Sequence, residues 1–324
     1  MAITIKDIAE NAGVGIGTVS RYINKKGYVS KEKKEIIEET IKRLNYQPNE
    51  IARSLNSKSS KFIGFLIPTI LNPFFTVTVS RIENLLWSKG YKLIICNVEG
   101  DFQKEKEYVN FLEQHYAAGI IVATNSSEDE FFKNIKIPMV AFDRIINKNI
   151  PYVVSANRDG GRLAAKTLIE KECNNILYIS GDININSAKY RLKGFLEEMN
   201  IHENVSYDVL YTEDETKVEK SILVEKLKHS KYDGVVIWNE KTASSALTIF
   251  NQLGIKIPER MQIISFDGLE IGESTLPKLT TIKQQIAEMT EKIVDILISM
   301  IEGKEEVEIE NIFDMEVVFR ETTK

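Results

Sequence analysis

Asp143, Asn239 and Asp267 each follow directly on a short apolar run of the kind that forms a buried strand. Arg191 lies in an amphipathic stretch after another such run. Because ligands of parallel α/β sheets bind at the carboxyl ends of the strands, we expect these four side chains to share one site. Aspartate, asparagine and arginine can each contact two neighbouring hydroxyl groups, and charged hydrogen bonds are the stronger kind. The set therefore predicts binding of a small molecule rich in hydroxyl groups.

Three aromatic side chains that can pack against the C–H face of a sugar ring accompany this set: Phe74, Phe75 and Trp238. We therefore predict a sugar or a sugar phosphate as ligand, although an anionic ligand would need more cations than Arg191 and Arg144 supply. Plainer alternatives exist for several of these residues. Asp143 and Arg144 can pair with each other or stabilise a turn. Trp238 can point into the core, and Phe74 can anchor the start of a helix.

The sequence lacks the usual signatures of an enzyme. Its three histidines, His115, His202 and His229, have no HExxH spacing, and there is no GxSxG motif and no Walker loop. The two cysteines, Cys96 and Cys173, have neither metal nor redox spacing. We therefore expect no catalysis, no metal and no cofactor. The N-terminus has no signal-peptide pattern and no run is long enough to span a membrane, which predicts a cytoplasmic protein.

The elements that must position these residues begin at Phe62, where short apolar runs start to alternate with amphipathic stretches. Strands that alternate with helices of about 10–15 residues indicate βαβ units on parallel sheets. One such series begins near Ile63 and a similar one near Ile176, which predicts two similarly built lobes. The predicted strands are Phe62–Pro68, Lys92–Asn97, Gly119–Ala123, Met139–Phe142, Ile176–Ser180, Gly234–Trp238 and Gln262–Phe266.

The N-terminal residues have the pattern of short helices joined by a tight turn. Thr4 can cap a first helix, with Asp7 completing a capping box, and Gly13 can adopt the left-handed conformation that ends it. A second helix is predicted over about Thr18–Asn24, and Ser30 is predicted to cap a third. This order predicts a helix-turn-helix headpiece, with a plain helical hairpin as the alternative. The predicted apolar stripe of the third helix consists of Ile36, Ile37, Ile41 and Leu44.

Charge is distributed unevenly along the chain. Residues 1–58 carry eleven Lys or Arg against seven Asp or Glu, whereas the whole chain of 324 residues has a net charge of −5. The N-terminal part is therefore basic and the remainder acidic. This asymmetry suits a protein that places one end on DNA phosphates, although chance differences between solvated faces can produce it too.

Motifs along the whole chain resemble those of the LacI/GalR family of bacterial repressors. In the N-terminal part they are Thr4–Asn24, Val29-Ser30, Leu44-Asn45-Tyr46, Pro48-Asn49 and Ile51–Leu55. In the body they are Asn72–Phe75, Phe142–Arg144, Asp159–Gly161, Arg191, Gly194-Phe195, Asn239, Phe266-Asp267, Leu279–Ile282 and Gln284. The resemblance implies an α/β protein with an N-terminal helix-turn-helix headpiece and a periplasmic-binding-protein-like body of two parallel-sheet lobes. It also implies a DNA-binding repressor whose operator affinity changes when a small-molecule effector binds between the lobes.

The same resemblance implies which headpiece residues contact DNA. The second helix enters the major groove, where Arg21 is the best candidate for a bidentate contact with guanine and Ile16 can touch a thymine methyl group. Residues expected to face the bases are Gly15, Ile16, Gly17 and Arg21; those expected nearer the backbone are Thr18, Ser20 and Asn24. Thr4 and Tyr46 complete the headpiece part of the predicted DNA-binding set.

Residues 48–59 resemble a hinge helix that folds on the operator. Asn49 can cap this helix, and Ala52 is small enough for two hinge helices to pack across a dimer axis. Leu55 corresponds to a leucine that wedges into the minor groove, with an ordinary core leucine as the alternative. The implied domains are a headpiece over 1–47, the hinge over 48–59 and a body over 60–324. The body's N-lobe is expected over about 60–156 and 285–313, and its C-lobe over about 157–284 and 314–324.

Two headpieces on a near-palindromic operator imply a homodimer. Whether the effector induces or corepresses is left open by the sequence. A catabolite-control-type regulator activated by a corepressor or protein partner is the main alternative, and a sugar-binding transport protein or an enzyme are others. The sequence departs from the family pattern at Gly15, where Ser or Thr is usual, at Glu240, where Asp is usual, and at Cys173, where His is usual.

Overall fold

The computed structural model describes residues 3–24, 27–46, 60–124, 129–212, 217–229, 231–304 and 306–324. The chain divides into two compact units, Met1–Ser60 and Lys61–Lys324. Within the described ranges, no helix is long and apolar enough to cross a membrane. The elements are, in chain order, α1 (Ile5–Ala12), α2 (Ile16–Ile23), α3 (Lys31–Arg43), β1 (Phe62–Ile67), α4 (Pro73–Ser88), β2 (Lys92–Asn97), α5 (Phe102–Gln114), β3 (Gly119–Val122), α6 (Asp129–Phe132), β4 (Met139–Phe142), β5 (Tyr152–Ser155), α7 (Asn157–Glu170), β6 (Asn175–Ser180), α8 (Asn186–Met199), β7 (Ser206–Tyr211), α9 (Lys220–His229), β8 (Gly234–Ile237), α10 (Glu240–Gln252), β9 (Gln262–Asp267), α11 (Glu270–Glu273), β10 (Thr280–Lys283), α12 (Ile286–Ile301), β11 (Glu310–Phe313) and β12 (Glu316–Val318).

The N-terminal unit packs α1, α2 and α3 around one small apolar core. The Thr4 hydroxyl accepts a hydrogen bond from the Asp7 amide, and the Asp7 carboxylate accepts one from the Thr4 amide, so the predicted capping box is present. Gly13 adopts φ 63°, the left-handed conformation that ends α1 and turns the chain into α2. The core consists of Ile8, Ala9, Ala12, Val19, Val29 and Ile37. The tight turn at Gly13 and the core shared by all three helices confirm the predicted helix-turn-helix rather than a plain helical hairpin.

Three details of the headpiece differ from the sequence prediction. The second helix begins at Ile16 and not at Thr18, so its first turn includes Gly17 although glycine disfavours helices. Ser30 occupies the N-cap position of α3, but its side chain makes no capping hydrogen bond. Ile36 is 40% exposed and lies off the stripe, whereas Ile37 and Thr40 are buried.

The first sheet of the body has the strand order β11-β5-β4-β3-β1-β2, and all neighbours are parallel. Alternate residues of its buried strands enter two apolar clusters, one on each face. Phe65 of β1 packs with α4 and α12, whereas the adjacent Leu66 packs with α5. Burial on both faces explains why these strands are apolar at successive positions.

The second sheet has the order β12-β10-β9-β8-β6-β7, in which only the edge strand β12 is antiparallel to its neighbour among the described strands. Tyr178 of β6 packs with α7 and α8, and the adjacent Ile179 packs with α10. The predicted architecture of a headpiece and two parallel-sheet lobes is confirmed, with β12 as an antiparallel addition. Each of the seven predicted strands is present, and the described residues contain five more: β5, β7, β10, β11 and β12.

In the described part of the body, the chain passes between the two sheets three times: after β5, after β10 and after β11. The crossings place residues of both lobes side by side at the carboxyl ends of the strands. Within the second lobe, α7 and α8 are in close contact. A Cβ atom at Gly161 would overlap the Arg191 carbonyl, and one at Gly194 would overlap the Arg158 carbonyl. The two glycines therefore let α8 lie directly on α7, which fixes the height of Arg191 above the sheet.

Candidate DNA-binding surface and effector cavity

The exposed face of α2 is the candidate DNA-binding surface of the headpiece. Gly15, Ile16, Gly17 and Arg21 are exposed, with Ile16 at 49%. The Arg21 Nε atom donates to the Gly17 carbonyl at 3.1 Å, which lays the arginine along the helix surface. Residues predicted nearer the DNA backbone, Thr18, Ser20 and Asn24, are half-buried. The exposed face of α2 therefore presents one apolar side chain and one guanidinium beside two glycines.

The start of α2 lacks a side-chain cap because Gly15 occupies the N-cap position. Its carbonyl still accepts from the Thr18 and Val19 amides at 2.8 and 3.3 Å. Two other predicted DNA contacts have structural partners: the Thr4 hydroxyl bonds to Asp7, and Tyr46 packs half-buried against the headpiece core. The predicted hinge residues Asn49, Ala52 and Leu55 lie outside the described residues.

A cavity lies between the two lobes of the body, at the carboxyl ends of the strands. Seven of the eight residues named from the sequence line it: Phe74, Phe75, Asp143, Arg191, Trp238, Asn239 and Asp267. Residues that the sequence analysis did not assign to the site also line it: Pro68, Asn72, Ile185, Ser187 and Gln284. Asn72 caps the start of α4, and Gln284 follows β10 directly. Both belong to motifs quoted above, and those motifs were the signal that could have identified them.

Arg191 is the centre of the hydrogen-bond network in this cavity. Its side chain is 2% exposed, and its Nε atom donates to Asn157 Oδ1 at 2.8 Å. Its Nη1 atom donates to the Trp238 carbonyl at 2.5 Å and to Asp267 Oδ1 at 3.2 Å. The guanidinium carbon lies 4.7 Å from the centre of the Phe266 ring. These contacts fix the plane of the guanidinium, so it presents a preset edge to a ligand.

Two carboxyl groups share this one arginine. Burial raises the pKa of Asp143 to about 7, with Arg191 opposing the shift and Asp267 adding to it. Burial also raises the pKa of Asp267, whereas Arg191 and the Gln284 amide, which donates to Asp267 Oδ1 at 2.9 Å, oppose the shift. Asp143 Oδ1 has no hydrogen-bond partner within the described part of the chain. That buried oxygen can accept a hydroxyl group of a ligand at little cost.

The aromatic residues form the walls of the cavity and also belong to the cores of the lobes. Phe74 is stacked on Phe142 with ring centres 6.0 Å apart, and it packs edge-on against Phe75. Trp238 packs against Gly181, where a Cβ atom would meet the indole ring at 2.5 Å. The alternative that Trp238 points into the core is thus partly correct, because one indole face is in the core and the residue also lines the cavity.

Arg144 is the predicted ligand contact that the structure places elsewhere. Its Nη1 atom donates to the Thr124 carbonyl, and its guanidinium lies 5.8 Å from the Phe132 ring centre. Asp143 has a left-handed backbone with φ 54°, which breaks the alternation at the end of β4. The two neighbouring side chains therefore face different environments, Asp143 the cavity and Arg144 the α6 side of the sheet.

A helix-turn-helix unit joined to a two-lobed body with a polar cavity defines the class of ligand-responsive DNA-binding regulators. Comparison with known proteins agrees: residues 4–49 match the sequence profile of bacterial regulatory proteins of the lacI family, and residues 165–323 match that of the periplasmic binding protein-like domain. The chain is 38% identical to the ribose operon repressor of Halalkalibacterium halodurans, over 99% of this chain and 97% of that protein. It is 36% identical to the sucrose operon repressor of Streptococcus mutans, over 94% and 95%.

Among solved structures, the body resembles a periplasmic binding protein/LacI transcriptional regulator from Alkaliphilus metalliredigens in complex with D-xylulofuranose. That structure is 37% identical, has a TM-score of 0.74 and covers 82% of this chain and 100% of its own. The chain therefore belongs to the lacI family of bacterial regulatory proteins. It is a DNA-binding transcriptional repressor and not an enzyme.

Proposed function

We propose that the operator affinity of this repressor changes when a neutral monosaccharide, of the size of a pentose, binds between the two lobes. The observation that carries this proposal is the charge of the cavity. Among the described lining residues, Arg191 is the one cation, and it already serves Asp143 and Asp267. The phosphate of a sugar phosphate would add negative charge beside two carboxyl groups, so a neutral polyol is favoured over the ester.

The cavity between the lobes is almost closed. Its volume is about 20 Å³, which is room for one or two water molecules. The lobes must therefore separate to admit any sugar, and a five-carbon ring requires less separation than a disaccharide does. The relatives include a ribose operon repressor and a sucrose operon repressor, and the sugar in the complex of the Alkaliphilus protein is a five-carbon furanose. We choose the five-carbon class for this chain because the relatives at 38% and 37% identity are the ribose operon repressor and the protein in complex with D-xylulofuranose.

Each polar group of the cavity has a role in the proposed complex. Arg191 and Asp267 hold neighbouring hydroxyl groups in bidentate contacts, and Asp143 Oδ1 accepts a further hydroxyl. Asn239, whose Oδ1 accepts from the Thr242 amide at 2.7 Å, stands at the start of α10 and completes the polar edge. Phe74, Phe75 and Trp238 cover the apolar face of the ring.

On DNA, we propose a homodimer on a near-palindromic operator. The proposed domains are the headpiece 1–47, the hinge 48–59 and the body 60–324, with lobes at 60–156 plus 285–313 and at 157–284 plus 314–324. Arg21 and Ile16 read bases in the major groove. In the hinge, Asn49 caps the helix, Ala52 lets two hinge helices pack across the dimer axis, and Leu55 wedges into the minor groove. Ligand-dependent movement of the lobes changes hinge packing and so changes operator affinity, by about 5–150-fold for a typical coupling.

Calorimetric titration tests the effector. D-ribose, sucrose and D-ribose 5-phosphate are titrated into the wild-type protein, Asp267→Asn and the control Arg260→Ala, an exposed arginine outside the cavity. We expect D-ribose to bind the wild type and Arg260→Ala equally and to bind Asp267→Asn at least about tenfold more weakly. Tighter binding of the phosphate ester than of ribose would refute the neutral-ligand proposal. Operator affinity, measured on duplexes selected in vitro with and without the bound sugar, then gives the direction of the response.

A further inference from the structure

Glu240 is a buried carboxyl group directly behind the cavity. It is the first residue of α10 and is 0% exposed. The residue before it, Asn239, lines the cavity. The Oε2 atom of Glu240 accepts a hydrogen bond from the Leu269 backbone amide at 2.7 Å. Its Oε1 atom lies 3.7 Å from Arg320 Nη1 and, within the described residues, has no hydrogen-bond partner. Glu240 therefore touches the backbone next to the cavity without lining the cavity itself.

The segment that Glu240 holds is the turn 267–269, which carries Asp267 into the cavity. Asp267 has φ 115° and Gly268 has φ 78°, both in the region that residues with a side chain rarely adopt. Such a conformation persists only when its surroundings hold it in place. On its other side, the Leu269 side chain is buried in the apolar cluster of the first sheet, with Phe74 and Ile286. The turn thus joins a carboxylate of one lobe to the core of the other.

Gly272 provides the space that the length of Glu240 requires. A Cβ atom at Gly272 would overlap Glu240 Oε1 and would lie 2.7 Å from its Cδ atom. Gly272 belongs to α11 and is itself buried, and its φ is outside the left-handed region, so backbone conformation does not call for a glycine there. The glycine is explained by the carboxyl group that occupies the adjoining space.

We propose that Glu240 is a positioning residue for effector binding: its carboxyl group, seated against Gly272, holds the turn 267–269 so that Asp267 faces Arg191 and the ligand. This inference rests on the proposed effector site. Glu240 acts on the site without touching the ligand, and Gly272 leaves the space that its side chain occupies.

The charges around Glu240 determine how the positioning depends on pH. Asp267 faces it from β9, and Arg320 faces it from beyond β12 while also donating to the Glu273 carboxylate at 2.9 Å and to the Leu279 carbonyl at 2.8 Å. Burial, reinforced by the nearby Asp267, raises the pKa of Glu240 to about 8. Glu240 is therefore protonated at neutral pH. Above pH 8 its ionisation sets a second negative charge beside Asp267, and we expect that repulsion to weaken ligand binding even though the Leu269 amide hydrogen bond itself favours the charged form.

Three variants test the proposal, with D-ribose titrated at pH 6.5 and pH 9. Glu240→Gln keeps the shape and hydrogen-bond acceptor of the neutral side chain, so we expect ribose affinity near wild type at pH 6.5 and a smaller loss than wild type at pH 9. Glu240→Ala loses the contact, and Gly272→Ala displaces it; for both we expect at least about tenfold weaker binding at pH 6.5. Wild-type affinity in Glu240→Ala, or equal losses in Glu240→Gln and Glu240→Ala, would overturn the positioning role.

Amide hydrogen exchange of the ligand-free protein separates this proposal from the effector assignment. We expect the peptide 267–272 to exchange at least about tenfold faster in Glu240→Ala than in Glu240→Gln, with peptide 175–180 of β6 unchanged as the reference. If D-ribose fails to bind the wild type, the effector proposal fails, and the exchange difference alone decides whether Glu240 holds the turn. Equal exchange in both variants would reject that role regardless of the sugar.

Discussion

Replacing Arg191 by methionine tests whether one buried cation balances the two carboxyl groups of the cavity. The methionine fills similar space but leaves Asp143 and Asp267 buried without a counter-charge. Removing one partner of a buried charge pair costs about 3–5 kcal/mol. At pH 8 we therefore expect Arg191→Met to lower the free energy of unfolding by about that amount, or the Tm by roughly 6–20 °C.

The stability lost in Arg191→Met should be larger at high pH than at low pH. The pKa of Asp143 is raised from 3.8 to about 7, so the folded protein keeps this proton where the unfolded chain has lost it. The contribution of Asp143 to stability therefore declines as the pH rises from 3.8 to about 7 and is constant above. Without Arg191 the pKa of both carboxyl groups rises further, because the group that lowered it is gone. As the pH falls, protonation of these carboxyl groups removes the unbalanced charge, so we expect the cost of the variant to be smaller at pH 5 than at pH 8 and to approach about 1–2 kcal/mol, the scale of the lost hydrogen bonds.

Thermal and urea unfolding at pH 5 and pH 8 measure this difference. The triple variant Arg191→Met, Asp143→Asn, Asp267→Asn removes all three charges and should recover most of the stability lost at pH 8. Arg260→Met controls for the loss of an exposed arginine. An equal loss for Arg191→Met at both pH values, or no recovery in the triple variant, would show that the arginine acts through packing and not through charge.

Three further predictions concern DNA binding and the helix contact. Arg21→Ala should weaken operator binding by about 1–3 kcal/mol and relax base choice at one position, as measured by binding to a set of single-base operator variants; Arg43→Ala, exposed on α3, is the control, and unchanged base selectivity would remove Arg21 from the set that contacts bases. Leu55→Ala should reduce operator bending in a gel-shift phasing assay while Tm stays the same, and a large fall in Tm would instead mark a core leucine. Gly161→Ala should destabilise the body by about 3 kcal/mol, because its Cβ would strike a backbone carbonyl that cannot move aside, and a stable variant would contradict the close α7–α8 contact.

The sequence predicted the headpiece and the central strands because their signals are local. The capping box at Thr4, the glycine at the end of α1 and the continuous apolar strands each depend on a few neighbouring residues. The strands β10, β11 and β12 were not predicted. Strand β10 is rich in threonine although fully buried over its first three residues, and β11 and β12 are short and partly exposed at sheet edges. Strand β11 also pairs with β5, far back along the chain, so no local pattern identifies it.

At the cavity, position after a strand was a good guide and side-chain direction was not. Asp143 and Arg144 are adjacent, and the positive φ of Asp143 decides which of them faces the cavity. Gln284 was quoted as a motif residue but not as part of the site, because its role depends on where β10 returns to the second sheet. Contacts made by chain crossings need the tertiary structure.

The discontinuous first lobe has a consequence for how the protein emerges from the ribosome. The N-terminal unit ends by residue 60 and can fold as soon as it leaves the exit tunnel. The first sheet, in contrast, lacks an edge strand and the long helix of its core until α12 and β11 have been synthesised. At about 5–20 residues per second, strands β1 to β5 wait on the order of ten seconds for these partners. A premature stop before residue 286 would thus release a folded headpiece attached to an incomplete lobe with exposed apolar strands.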